Sequence, residues 1–141
     1  MTRKILPILF IVIFLTGCNS TKTTEDASSA VESYFTAWNN HDYETMYSVI
    51  SDGFRALEPT AATFEDFKAY ADAQGISSVR IISIKQTSND GMIATADYKV
   101  EFLIKDTKLP YQDSFTIKYK PNDSVPGWKL IHPYGEHIDT S

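Results

Sequence analysis

MIATADYKVEFLI, Met92 to Ile104, puts Met92, Ala94, Ala96, Tyr98, Val100, Phe102 and Ile104 on one face of an extended chain. Ile93, Thr95, Asp97, Lys99, Glu101 and Leu103 fall on the other. Side chains of a strand point alternately to opposite sides, so this run is a long strand with one greasy face and one mixed, largely charged face. Asn89-Asp90-Gly91 just before it is a hairpin signal, and Val79 to Thr87 reads as the strand on the far side of that turn. Lys105 to Pro110 is expected to turn the chain. Tyr111, Asp113, Phe115, Ile117 and Tyr119 then form the inner face of a third strand. Lys120 to Gly127, with two prolines, reads as a longer loop, and Trp128, Leu130 and His132 as the inner face of the last strand.

Upstream of Ile76 the spacing is helical. Ala27, Ala30, Val31, Tyr34, Phe35 and Trp38 make one apolar stripe, with Thr23 or Thr24 available to cap it and Asn39-Asn40-His41 to end it. Asp42 is the expected N-cap of a second helix with Tyr43, Met46, Tyr47 and Ile50 inward and Gly53 at its C-terminal end. Thr63 with Asp66 resembles a capping box and opens a third helix facing inward through Phe64, Phe67, Tyr70 and Ala71. The expected fold is α+β: three N-terminal helices packed in a curved four-strand antiparallel meander. A sheet with one apolar face must bury it on those helices.

The N-terminus carries a separate message. Arg3 and Lys4 precede an almost purely apolar run from Ile5 to Leu15. As a helix, that run would rise about 16 Å, short of the roughly 30 Å hydrocarbon core of a bilayer. It fits a secretion signal rather than a permanent span. Leu15-Thr16-Gly17-Cys18 closes the run and resembles the lipobox of bacterial lipoproteins. That resemblance implies acylation of the Cys18 sulfur and cleavage after Gly17. The expected organisation is a signal peptide over 1–17, a lipid-anchored tether over 18–26, a folded domain over 27–134 and a C-terminal tail over 135–141, expected to be disordered. The expected location is the extracytoplasmic face of the cell membrane, held there by lipid on Cys18, the only cysteine.

Without the first 17 residues the chain has eleven basic and eighteen acidic side chains. This acidic balance gives no electrostatic footprint for nucleic acid or for an anionic membrane surface. Forty-three per cent hydrophobic residues suffice for a real core in one domain.

Ala30-Val31-Glu32-Ser33-Tyr34-Phe35-Thr36-Ala37-Trp38, then Asp42-Tyr43-Glu44-Thr45-Met46-Tyr47 and the closing Gly127-Trp128-Lys129-Leu130-Ile131, resemble the nuclear transport factor 2-like superfamily. In flavour they are similar to small bacterial lipoproteins and to the non-catalytic amino-terminal domain of some penicillin-binding transpeptidases. The resemblance implies a cone, a curved sheet wrapped around the first helix with a cavity at its open end. It implies no single function, because members include isomerases, dehydratases, cyclases, binding modules and pedestals.

The catalytic candidates are Asp113 and His132. Pairing Tyr119 with Trp128 and Phe115 with His132 would make them diagonal neighbours on the inner face, suited to a general base in an apolar cavity. The ligand-binding candidates are Tyr34, Trp38, Tyr98 and Tyr119, whose rings and polar tips suit a hydrophobic ligand with one polar group. His132, Glu136 and His137 match no metal-ligand spacing, and Pro133 and Gly135 break any helix that would align them. No metal or cofactor is expected. The leading expectation is a non-catalytic envelope lipoprotein that binds a small apolar molecule or another envelope protein. The alternatives are an isomerase- or dehydratase-type enzyme and an accessory factor of peptidoglycan synthesis.

Overall fold

A computed structural model of the chain describes residues 26–141. The expected signal peptide, the expected lipidation site Cys18, the expected cap at Thr23 or Thr24 and the expected tether up to residue 25 lie outside the described residues. No helix among the described residues is long and apolar enough to cross a membrane.

The fold is α+β, with the helices first and one four-stranded antiparallel sheet after them in the order β1-β2-β3-β4. Helix α1 spans Ser28–Asn39 and buries Ala30, Val31, Tyr34, Phe35, Ala37 and Trp38. The Asp26 carboxylate accepts the Ser28 amide at 3.0 Å and meets a donor that the first turn leaves free. The stretch expected as one second helix is two. Helix α2, Tyr43–Ser48, is capped by Asp42, which accepts the Thr45 amide at 3.1 Å. Helix α3, Asp52–Leu57, is capped by buried Ser51, which accepts the Phe54 amide at 3.1 Å. Gly53 therefore lies inside α3 rather than ending a helix. The break at Val49–Ser51 has a cause in the sheet: Leu130 donates to the Val49 carbonyl at 2.8 Å, and its carbonyl accepts the Ser51 amide at 3.0 Å. A helix running through these residues could not offer those groups sideways. Helix α4, Phe64–Ala73, has the expected reciprocal cap between Thr63 and Asp66.

Strand β1 is Ile76–Asn89 and β2 is Ile93–Ile104. Their register slips at three places along β1, each adding a residue on the bulged strand and increasing its twist. Strand β3, Thr107–Lys120, begins earlier than expected. The turn is only Lys105-Asp106, both at positive φ, 47° and 63°. That is the backbone of a two-residue type I′ hairpin without its usual Asn-Gly. Pro110 is therefore inside β3, which proline tolerates on a sheet edge. Strand β4, Gly127–Leu130, pairs with β3 only over Ile117–Lys120, including the expected Tyr119 opposite Trp128.

Tyr98, Val100, Phe115, Ile117 and Leu130 are buried against the helices, so the alternating face of the sheet is the core face. The C-terminal tail is not disordered as expected. Asp139 is 1% exposed and pairs with Lys120 at 2.9 Å. His137 meets Glu58 at 3.1 Å, and Tyr134 stacks on Tyr70 at 3.9 Å between ring centres. The tail is a strap tied to the helices and to β3.

Candidate functional site

Beyond Leu130 the chain leaves the sheet. Pro133 has no amide to give a ladder, and the His132 Nε2 donates to the Gly135 carbonyl at 2.8 Å, closing a turn. Among the described residues, strand β3 continues without a partner on that side from Thr116 back to Thr107. The space between this bare edge, the last turns of α1 and the strap is an open cavity of about 890 Å³.

Its floor is aromatic. Tyr34, Phe35 and Trp38 project from successive turns of α1, as their spacing requires. Phe115 stacks on Tyr98 at 4.6 Å, and Phe35 leans on Tyr98 at 4.9 Å. Trp38 meets Phe102 at 5.6 Å. Tyr70 and Tyr134 supply the strap side, and Ile76, Ile104 and Ile138 widen the apolar wall.

Asp113, Ser114 and Thr116 supply polar groups from β3, and Gln74 and His132 supply them from the end of α4 and from the strap. Asp113 stands directly across from Tyr98 in the β2–β3 register and is exposed. Its carboxylate accepts the Ser114 amide at 2.8 Å and the Tyr111 hydroxyl at 3.4 Å. Burial, followed by its proximity to Tyr111 and Asp113, pushes the Tyr98 hydroxyl well above the ordinary phenol range. Burial first, then Tyr70, Tyr134 and Tyr98, does the same to Tyr34. These hydroxyls are therefore neutral donors and acceptors at physiological pH. The indole Nε1 of Trp38 is buried without a hydrogen-bond partner among the described residues.

Asp113 and His132 both line the cavity, but their hydrogen bonds go elsewhere: Asp113 to Tyr111 and Ser114, His132 to Gly135. The ladder stops at Leu130, so the Phe115–His132 pair that would set them diagonally is not formed. Tyr34, Trp38 and Tyr98 come together in the lining; Tyr119 is not part of it and instead packs edge-on to Trp128 at 5.6 Å. His132, Glu136 and His137 do not converge, and among the described residues no three His, Cys, Asp or Glu side chains gather as a metal site. Tyr70, Tyr111 and Tyr134 are lining residues not singled out as candidates from the sequence. The inward spacing of Tyr70 on its helix and of Tyr111 on its strand was the available signal. Tyr134 had none, because its place depends on how the strap docks.

Residues 28–130 match the model of the family described as Domain of unknown function (DUF4829). No curated protein matches the chain. Among solved structures it is similar to a SEC-C motif containing protein from Psychrobacter arcticus, at 12% identity and a TM-score of 0.56, over 82% of this chain and 64% of that one. It is also similar to a ketosteroid isomerase-like protein from Erwinia carotovora atroseptica, at 15% identity and a TM-score of 0.47, over 74% and 87%. A third similarity is to the helical cell shape determining protein Pgp2 from Campylobacter jejuni, at 14% identity and a TM-score of 0.46, over 72% and 37%. The chain thus spans less than two thirds of the length of the Psychrobacter protein, and that likeness is one of fold.

Proposed function

The chain belongs to the DUF4829 family, whose description assigns no activity, and on that premise we propose a role read from the cavity: a non-catalytic domain that binds a small, largely apolar molecule. One observation carries this reading. An open cavity of about 890 Å³ is walled by aromatic rings, with a few hydroxyls and one carboxylate at its edge. Ligand sites usually have about this size, an apolar lining and a few placed polar groups. A sheet built only to pack on its helices would close this space. Here β4 ends early, and the strap forms a wall instead of a fifth length of ladder.

The proposal includes the setting. Lipid on Cys18 would hold the domain on the extracytoplasmic face of the cell membrane through a short tether. Two acyl chains suffice for stable anchoring, each buried methylene contributing about 0.8 kcal/mol. Loss of fatty-acid labelling and release from the membrane fraction on Cys18→Ala would support this. Unchanged labelling would end it.

An isomerase- or dehydratase-type enzyme would need Asp113 and His132 to act on one bound atom. Their separate hydrogen bonds favour binding over catalysis, because neither orients the other. Native mass spectrometry of the full chain tests the binding reading, with Trp38 emission followed in a Trp128→Phe background. The expected results are a co-purified small molecule, or a shift of Trp38 emission on adding apolar aromatic compounds. An intact fold with neither response would overturn the reading.

A further inference from the structure

We infer that the ligand is a cation: an apolar molecule carrying a quaternary or protonated amine, held over the aromatic rings with its charge toward Asp113. This deepens the binding reading above and rests on it.

Nine of the lining residues are Phe, Tyr or Trp; neither lysine nor arginine is among them, and the one imidazole, His132, is tied by its Nε2 to the Gly135 carbonyl. The only carboxylate is Asp113. It has no ion-pair partner among the described residues, its contacts being the Ser114 amide and the Tyr111 hydroxyl. Lys85 and Lys99 line a second groove that shares Tyr98, Asp113 and Ser114 with the cavity, and neither pairs with Asp113 among the described residues. An anion entering here would find no lysine or arginine to replace the water it sheds and would face a carboxylate. A neutral molecule would gain only its apolar contacts. A cation gains the negative faces of the rings as well as Asp113, and the ring interaction strengthens as water is excluded.

The rings stand where such a ligand needs them. Tyr98 and Phe115 lie one strand apart and stack on each other, with Asp113 directly across from Tyr98. Tyr34 stands edge-on to Trp38 at 5.7 Å and to Phe115 at 6.1 Å, so ring planes lie at steep angles within one corner. Tyr34, Trp38, Tyr98 and Phe115 are buried and pack on one another as the floor, so the faces open to a cation are those of half-buried Phe102 and exposed Tyr111, beside Asp113. Tyr111 extends the set toward the mouth, 6.2 Å from both Tyr98 and Phe102.

Three probes of nearly equal bulk separate charge from shape: benzyltrimethylammonium, its carbon isostere neopentylbenzene, and 3-phenylpropanoate. The N-methyl proton resonance of the first is followed as the full chain is added, since ring currents move it upfield inside an aromatic enclosure. The expected result is an upfield shift and an affinity about tenfold above that of the neutral isostere, with negligible binding of the carboxylate. Asp113→Asn should lower the affinity for the cation several-fold and leave that for neopentylbenzene unchanged. If the neutral or anionic probe binds as tightly as the cation, the inference fails and the binding reading stands. If no probe binds and Trp38 emission does not respond, both fail.

Discussion

Asp139 is a carboxylate that the fold hides almost completely, and its surroundings show how one residue can hold a tail. Burial alone would raise its pKa. Hydrogen bonds from Ser141, Lys120 and Ser51 outweigh that and hold it at about 2, against 3.8 in a free chain. On the other side is Gly53, where a Cβ would lie 2.2 Å from the Asp139 Oδ1. Glycine is required there by the close approach of a carboxylate, not by its backbone angle. Two outcomes follow. Gly53→Ala should destabilise the protein by about 1–3 kcal/mol, the usual range for forcing atoms into a packed site, with the thermal midpoint as the measure. The pH dependence has a definite sign. A carboxylate whose folded pKa is depressed contributes stability that is complete above its unfolded value and lost as pH falls through the folded one. Asp139→Asn should therefore be less stable than wild type at neutral pH, with the gap narrowing between pH 3.8 and about 2. A gap that stays constant down that range in urea titrations would contradict the assignment.

At the scale of elements, the strap is the part that makes a cavity out of a sheet. Tyr134 stacks on Tyr70 with an interplanar angle of 12°, stands edge-on to Phe54 at 5.3 Å, and its hydroxyl accepts from Thr60 at 3.1 Å. Next to it Gly135 has φ 75°, and a Cβ there would lie 2.7 Å from the Glu58 carboxylate that pairs with His137. Tyr134→Ala should cost about 2 kcal/mol, below the full-core value for an aromatic because the ring is only half-buried. It should also speed amide exchange from Ile131 to Asp139 while leaving β2 protected. Tyr134→Phe keeps the stack and should cost no more than about 1 kcal/mol. Equal exchange in all three proteins would show that the strap is held by its ends alone. What could be read from sequence divides along the same line. The alternation of β2, the caps Asp42 and Thr63, and the Tyr119–Trp128 pair were legible because each depends on local spacing or on one turn. The Lys105-Asp106 turn was not, because the sequence lacks the residues that usually mark positive φ. The split at Val49–Ser51 and the docked tail were not either. Both come from contacts across the fold, with Leu130 and with Glu58 and Lys120, that leave no periodic trace. For the same reason Tyr34, Trp38 and Tyr98 could be placed in one lining from their faces, whereas the lining role of Tyr134 could not.

Across the whole molecule, the described residues begin at the hairpin end, and the cavity extends from the other end along β3. The Ala27 amide donates to Gln86 near the β1–β2 hairpin, whereas Asn39 at the end of α1 accepts the Val79 amide near the start of β1. The lining starts with the later residues of α1, Ile76 and Ile104 at that second end and runs along β3 as far as Thr116. The twelve residues of α1 separate the two ends by about 18 Å. A domain tethered through Cys18 would on average turn its hairpin toward the lipid and its cavity toward the solution. That suits a water-soluble cation better than a molecule drawn from the bilayer. Because Cys18 would carry the lipid, a single new cysteine can be labelled without competition. A fluorophore on Met92→Cys, at the exposed hairpin end, should be quenched more strongly by spin-labelled headgroups than one on Lys105→Cys, in the turn at the cavity end. The two sites should differ in degree rather than as all or none. Equal quenching would mean that the domain tumbles freely on its tether. Stronger quenching at Lys105 would mean that the cavity faces the membrane, and the ligand would then have to come from the lipid side.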